Sequence, residues 1–314
     1  MATHNSTLSV NSYRHSRRLR YHAVPSGLRT QRKIGNPATG GPLSLGRGFP
    51  VVSAASKTPH WNNRMNDTAT SGAKAPATGG PVDRSVLQDL VYANHICADQ
   101  GVLDGYGHCS IRHPKAPDRY FLARSLSPAV ITIDDIMEFD LDSNPVDQRG
   151  RLMYLERCIH GGIYKARPDV HAIVHSHSPS VVPFSVSSVK LKPICHMSAF
   201  LADGIPNFEI RDGFGMTDLL IRNNDHGRAL AETLGKNNVA LMRGHGNVCV
   251  GPNIMTAVYR AVYTEVNAKL QAQAIALGGD ITFMEPQECA LITGRKDLNF
   301  DRPWRMWKER IGAA

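Results

Sequence analysis

Hydrophobic positions change period several times along this chain, and each change marks an element. In SVLQDLVYANHICADQGV, apolar residues at 86, 87, 90, 91, 93, 96 and 97 form a helical stripe that ends before Gly105. GYGHCSIRHP and DRYFLAR read as two short strands with a loop between them. ITIDDIMEFD predicts a short helix, with Asp134 and Asp135 in its first turn, running into a strand; DLDSNPVD predicts a turn. The helical period returns from Leu152 to Tyr164 and is closed by Pro168. HAIVHSH follows as a strand, SPSVVPFSVSS as a helix, and NVALMRGHGNVCVG as strand, tight glycine loop and strand. MTAVYRAVYTEVNAKLQAQAIALGG is a long amphipathic helix ended by Gly278 and Gly279. The tryptophans of PWRMWKER are expected to cap the core or a subunit contact. Strands and helices alternate throughout, which is the α/β class.

Charge divides the chain differently. The net charge of +9 suggests a nucleic-acid or membrane partner until it is mapped. Residues 1 to 64 hold ten Lys or Arg and no acid, and the first acid is Asp67. From position 65 onward 26 basic residues face 27 acidic ones, so the folded part has no electrostatic footprint for nucleic acid. The leader lacks helical or strand period, is rich in Ser, Arg, Gly, Pro and Asn, and cannot bury enough apolar surface to order itself. It reads as an organelle transit peptide or as the product of a start assigned upstream of Met65. With the linker ATSGAKAPATGGPVD it makes residues 1–84 a disordered leader and linker, and residues 85–314 a single domain. No run of about 18 apolar residues is present to cross a membrane. Six cysteines without paired spacing are expected to be reduced thiols of a cytoplasmic protein, with Cys97 and Cys158 in the core.

The candidate chemistry lies in HAIVHSHSP. Alternate strand residues share a face, so His171, Ile173, His175 and His177 point the same way. His175 and His177, with Cα atoms roughly 6.5 Å apart, can converge on one ion, whereas His171 lies too far along the strand. In RGHGN, His245 sits between two glycines that let the loop turn sharply and the ring reach inward. Three imidazoles with open positions are the pattern of a catalytic metal site. Glu156, among apolar neighbours on the preceding helix, is the candidate acid–base carboxylate.

These residues carry a resemblance. Glu156 in LERCIHGGIYKARPDV, then AIVHSHSP, then LMRGHG resembles the class II aldolase/adducin family over roughly residues 85 to 285. The resemblance implies a three-layer α/β/α sandwich around a mostly antiparallel sheet and a homotetramer with sites at subunit interfaces. It further implies one divalent ion per subunit, zinc or manganese, on His175, His177 and His245, with Glu156 as the acid–base residue. The family's sugar-phosphate aldolases hold phosphate with GN-x-S, T-x-SG-like and Ser-Ser segments. This chain has GYGHCS, with His108 where Asn is expected, then ARSLSP, then Tyr154-Leu155 in place of the hydroxyl pair. A phosphorylated sugar is therefore disfavoured.

LARSLSPAVIT, YLERCIHGGIY, PICHMSAFL and AVYRAVYTEVNAKLQ look more like the family's decarboxylases of hydroxylated aromatic or pyridine dicarboxylates. On that likeness Arg124 and Ser125 would bind substrate, Arg124 as a carboxylate clamp. His196 and Tyr259 would line the pocket, and His108 would hydrogen-bond the substrate. Two alternatives stand beside this expectation. One is an aldolase, epimerase or dehydratase acting on a small sugar or hydroxy-carbonyl compound; the other is a non-catalytic, adducin-like interaction module. GYGHCS lacks the third glycine of a dinucleotide loop, and no GxSxG elbow supports a hydrolase.

Overall fold

A computed structural model describes residues 74–295 and 299–313. The basic leader lies outside the described residues. In chain order the elements are α1 (Arg84–Asp99), β1 (His108–Arg112), β2 (Arg119–Ala123), β3 (Ile136–Asp140), α2 (Arg157–Ala166), β4 (Ala172–Ser176) and α3 (Val182–Val186). They continue with β5 (Asn207–Phe208), α4 (Arg211–Phe214), α5 (Asn224–Leu234), β6 (Val239–Met242), β7 (Gly246–Gly251), α6 (Ile254–Leu277), α7 (Pro286–Thr293) and α8 (Asp301–Arg310).

The seven strands form one sheet in the order β3-β2-β1-β4-β7-β6-β5. Every pair is antiparallel except β5 with β6. Alternation then sorts the side chains. Ile173, Val248 and Val250 face a core completed by Ile159 and Ile163 of α2 and Leu230 and Leu234 of α5. Cys109, Val174 and Cys249 face a second core completed by Leu90 and Ile96 of α1, Ala257 and Ala261 of α6, and Trp304 and Trp307 of α8. Helices thus cover both faces, which is the expected three-layer sandwich. The two tryptophans cap the second core, and Cys97 and Cys158 are buried. Among the described residues, no helix is long and apolar enough to cross a membrane.

Two departures from the sequence reading bear on the site. The helical period beginning at Leu152 does not become helix until Arg157. The carbonyl of Leu152 accepts from the amide of Ser125 at 2.8 Å, and the Tyr154 hydroxyl donates to the Leu126 carbonyl, which draws this stretch toward the loop after β2. Glu156 is consequently the N-cap residue of α2 rather than a residue within a helix. The second departure is the interval from 202 to 236, which the sequence reading leaves unassigned and which holds short β5 and α4 and the amphipathic α5, with Leu230, Ala231 and Leu234 on its buried face.

Helices α2 and α5 meet almost backbone to backbone. A Cβ on Gly227 would fall 2.2 Å from the Cys158 carbonyl oxygen, and one on Gly162 would fall 2.5 Å from the Gly227 carbonyl. Backbone atoms cannot yield as the end of a flexible side chain does, so Gly227→Ala is expected to destabilise by about 1–3 kcal/mol. Urea denaturation of this variant beside Ala229→Gly, an ordinary helix substitution, checks that the loss comes from the crossing.

Candidate metal centre

The centre lies at one end of the three middle strands. His175 is the fourth residue of β4, and His177 follows that strand's last residue. His245 precedes β7 in a turn made possible by Gly244, whose φ is +64°. The neighbouring Gly246 passes so near β4 that a Cβ there would lie 2.0 Å from the Ser176 carbonyl oxygen. This close approach brings the His245 loop against the histidine strand.

Each of the three rings is oriented through its Nδ1. That of His175 bonds the carbonyl of Asn247 at 3.2 Å, and that of His245 bonds the carbonyl of Leu219 at 2.9 Å. A carbonyl only accepts, so both rings carry their hydrogen on Nδ1. His177 Nδ1 bonds the Asp104 carboxylate at 3.0 and 3.2 Å, which fixes the same tautomer. Asp104 is itself held by the amides of Tyr106 and Gly107, at 2.8 and 3.0 Å. Burial works to raise its carboxyl, but those amides and the His177 ring outweigh burial and hold it below the ordinary carboxylate range.

Every Nε2 is therefore turned inward. His177 Nε2 and His245 Nε2 approach to 3.1 Å. Glu156 Oε2 lies 3.3 Å from His245 Nε2 and 3.5 Å from His175 Nε2, and all four ligand atoms fall within 4.8 Å of one another. Neutral rings with hydrogen on Nδ1 would point lone pairs at each other, and a carboxylate adds negative charge. Such a cluster needs a cation at its centre, whether a proton or a metal ion. His175 Nε2 is fully buried without a hydrogen-bond partner. An orphaned imidazole nitrogen is costly unless something binds it. Nitrogen–metal bonds near ~2.1 Å at tetrahedral or octahedral angles separate ligands by roughly 3.0–3.4 Å, close to the spacings here. The donor set fits a divalent ion.

Glu156 is nine-tenths buried, and its other oxygen, Oε1, accepts from the Ile221 amide at 2.9 Å. Burial pushes this carboxyl up; the His175 and His245 rings beside it outweigh burial and hold the group well below the ordinary range. Burial keeps His175 below the ordinary imidazole value. It also opposes charge on His245, yet the Glu156 carboxylate prevails and that ring is held above it. His177 is the most open member, with its side chain 23% exposed, so a ligand enters from its side.

The remaining candidate residues divide. His108 pairs with His175 across β1 and β4, and their ring centroids are 5.2 Å apart. Tyr154 packs on His108 at 4.4 Å. Arg124 and Ser125 follow β2, with Ser125 tied to Leu152 and the Arg124 Nε bonded to Asp135 at 2.6 Å. His196 is exposed, and Tyr259 packs on Tyr263 and Phe300 while donating to the Met197 carbonyl at 3.0 Å. Those two lie on the α6 side of the sheet and are not brought to the cluster within one chain. Sequence reading missed Asp104, whose only signal was a carboxylate beside Gly105. It also missed the carbonyls of Leu219 and Asn247 and the amide of Ile221, which no side chain announces.

The family model for the class II aldolase and adducin N-terminal domain matches residues 88–272. The chain belongs to the class II aldolase/adducin family. Within that family it is 38% identical to decarboxylase tropJ of Talaromyces stipitatus over 251 residues, covering 72% of this chain and 93% of that protein. It is 27% identical to 3,4-dihydroxyphthalate decarboxylase of Arthrobacter keyseri, again over 72% of this chain and 93% of the relative. Among solved structures, L-fuculose 1-phosphate aldolase from Glaciozyma antarctica shares the class II aldolase fold. It aligns with a TM-score of 0.61 at 20% identity over 74% of this chain and 95% of that one.

Mass spectrometry of the purified protein is expected to find about one divalent ion per chain, lost in His175→Ala and in His245→Ala. Asp104→Asn keeps an acceptor for the Tyr106 and Gly107 amides but weakens the hold on His177. It is expected to loosen metal about 10- to 100-fold in a competition titration against a chelator.

Proposed function

We propose that this family member is a divalent-metal-dependent carbon–carbon lyase that decarboxylates a hydroxylated aromatic or heteroaromatic carboxylate. The observation that carries the reading is the convergence of three Nδ1-anchored histidines and one buried carboxylate on a single point. The decarboxylases among its relatives support the choice of reaction. The His108 and Tyr154 substitutions support a substrate without phosphate, since Tyr154 fills the space against His108 and commits its hydroxyl to a backbone carbonyl.

His175, His177 and His245 would hold the ion, zinc or manganese, with their rings prevented from rotating by the bonds at Nδ1. When bound, the ion supplies electron withdrawal from the substrate's oxygens as the bond to the carboxylate carbon breaks. Glu156 holds one oxygen on the Ile221 amide and aims the other at the cluster. There it would take up a proton and deliver it to the carbon that loses CO2, so that a C–H bond replaces the broken C–C bond. Water reaches the cluster from the His177 side, because Glu156 and His175 are buried and the His177 side chain is 23% exposed. Arg124, steadied by Asp135, and Ser125 bind the substrate's second carboxylate at the rim.

The reading places the catalytic domain at residues 85–314 and the protein in the cytoplasm, which suits six cysteines held as reduced thiols. It takes a homotetramer as the working assembly. His196 and Tyr259 then take part only where a neighbouring subunit presents them.

A panel of hydroxylated aromatic and pyridine dicarboxylates, assayed by CO2 release, tests the reaction. Activity is expected with at least one, abolished by chelation and restored by zinc or manganese. Glu156→Gln is expected to lower kcat by about 10²- to 10⁴-fold while keeping its metal. Retro-aldol cleavage of sugar phosphates without any CO2 release would reject the proposal.

A further inference from the structure

Behind the tripod a line of polar groups runs into the core on side chains no more than 1% exposed. His108 Nδ1 lies 2.7 Å from His160 Nε2; His160 Nδ1 lies 2.6 Å from Ser110 Oγ; and Ser110 Oγ lies 2.8 Å from the Tyr164 hydroxyl. Sheet and helix impose this line. His108 and Ser110 are alternate residues of β1, on the face that carries His175, and His160 and Tyr164 are one turn apart on α2.

A line of this kind has a direction. In one, the Tyr164 hydroxyl donates to Ser110, Ser110 donates to His160 Nδ1, and His160 Nε2–H donates to His108 Nδ1. Every donor within the line is then satisfied, and the one left over is the Nε2–H of His108, at the end of the line beside the tripod. In the other, His108 Nδ1–H donates to His160, His160 to Ser110 and Ser110 to Tyr164. The Tyr164 hydroxyl hydrogen is then left with no acceptor, because Ser110 is its one hydrogen-bond partner among the described residues. Each direction leaves one donor over. That of His108 lies beside the tripod, where a ligand can meet it. That of Tyr164 is stranded in the core at a cost of about 1–3 kcal/mol, which selects the first direction. A proton added to His160 would not change the outcome, since His108 Nδ1 would still accept.

At the site end of the line, His108 Nε2 has no hydrogen-bond partner among the described residues, on a side chain 1% exposed whose ring centroid lies 5.2 Å from that of His175.

We infer that His108 is a donor-only anchor for an anionic substrate oxygen, and that His160, Ser110 and Tyr164 are positioning residues that fix its tautomer. The anchor's ligand class, a hydroxyaromatic carboxylate, rests on the function proposed above, whereas the tautomer does not. The three tripod rings carry hydrogen on Nδ1 and point acceptors inward; His108 carries it on Nε2 and points a donor. The site therefore offers both polarities from histidine alone. A chelating substrate gives its lone pairs to the ion and a further oxygen to His108.

The test uses full-length, zinc-loaded protein labelled with ¹⁵N-histidine. Long-range ¹H–¹⁵N correlation, with signals assigned through His108→Gln, should show His108 Nδ1 unprotonated and Nε2 protonated. A protonated Nδ1 overturns the relay. His160→Phe should keep its zinc but show His108 exchanging between tautomers; an unchanged His108 signal in that variant removes His160 from the positioning role. Calorimetry with salicylate as the probe tests the anchor. His108→Asn, which lacks a donor at the ε position, should loosen salicylate about 10-fold or more, and His108→Gln, whose amide nitrogen reaches that position, should keep most of the affinity. Equal affinity in both variants and wild type overturns the anchor. The wild-type spectrum decides the tautomer even where a variant does not fold. Absence of CO2 release from every candidate acid, with salicylate bound and the tautomer as stated, rejects the decarboxylase alone.

Discussion

The hydrogen bond at each tripod Nδ1 is the constraint from which the rest of the site follows. An imidazole has two nitrogens and, when neutral, one hydrogen, so an acceptor at one nitrogen decides what the other offers. The carbonyls of Asn247 and Leu219 and the carboxylate of Asp104 make that decision three times. Three lone pairs then face one another, those of His177 and His245 3.1 Å apart, with a buried carboxylate beside them and all four ligand atoms within 4.8 Å. This arrangement is unfavourable when empty and favourable around a cation. The sheet supplies the stiffness that keeps the rings from turning away, since His175 lies in a strand paired on both sides.

The same principle operates in the opposite sense one strand over. His108 is paired in register with His175, yet its Nδ1 faces His160 rather than a carbonyl. Two neighbouring histidines on one face of one sheet thus carry opposite polarity, and the cause is what stands behind each of them. The identity of a residue gives its repertoire; the partner selects from it.

Much of the framework was legible in the chain. Period-two and period-3.6 stretches located β1 to β4, β6, β7, α1 and α6, because each buries one defined face. His175, His177, His245 and Glu156 were legible as a set because four chemistry-bearing residues stood at spacings with no packing purpose. The groups that orient them were not, since backbone carbonyls and amides are present at every position. The onset of α2 was misplaced because Tyr154 is apolar at a helical spacing, while its hydroxyl bond to Leu126 has no trace in a hydropathy pattern. His196 and Tyr259 were joined to the site by likeness of segments, and a segment's likeness says nothing about which layer its helix occupies.

The glycine crossing of α2 and α5 has a mechanical consequence. Ile221, whose amide holds Glu156 Oε1, lies three residues ahead of α5, and Glu156 itself caps α2. The carboxylate is thus gripped at both ends of a joint with no compliant side chain at its hinge. Displacement of α5 relative to the sheet would be transmitted to that carboxylate with almost no slack. The exposed ion pairs of Arg228 with Asp225 and Glu232 sit on the handle of that lever.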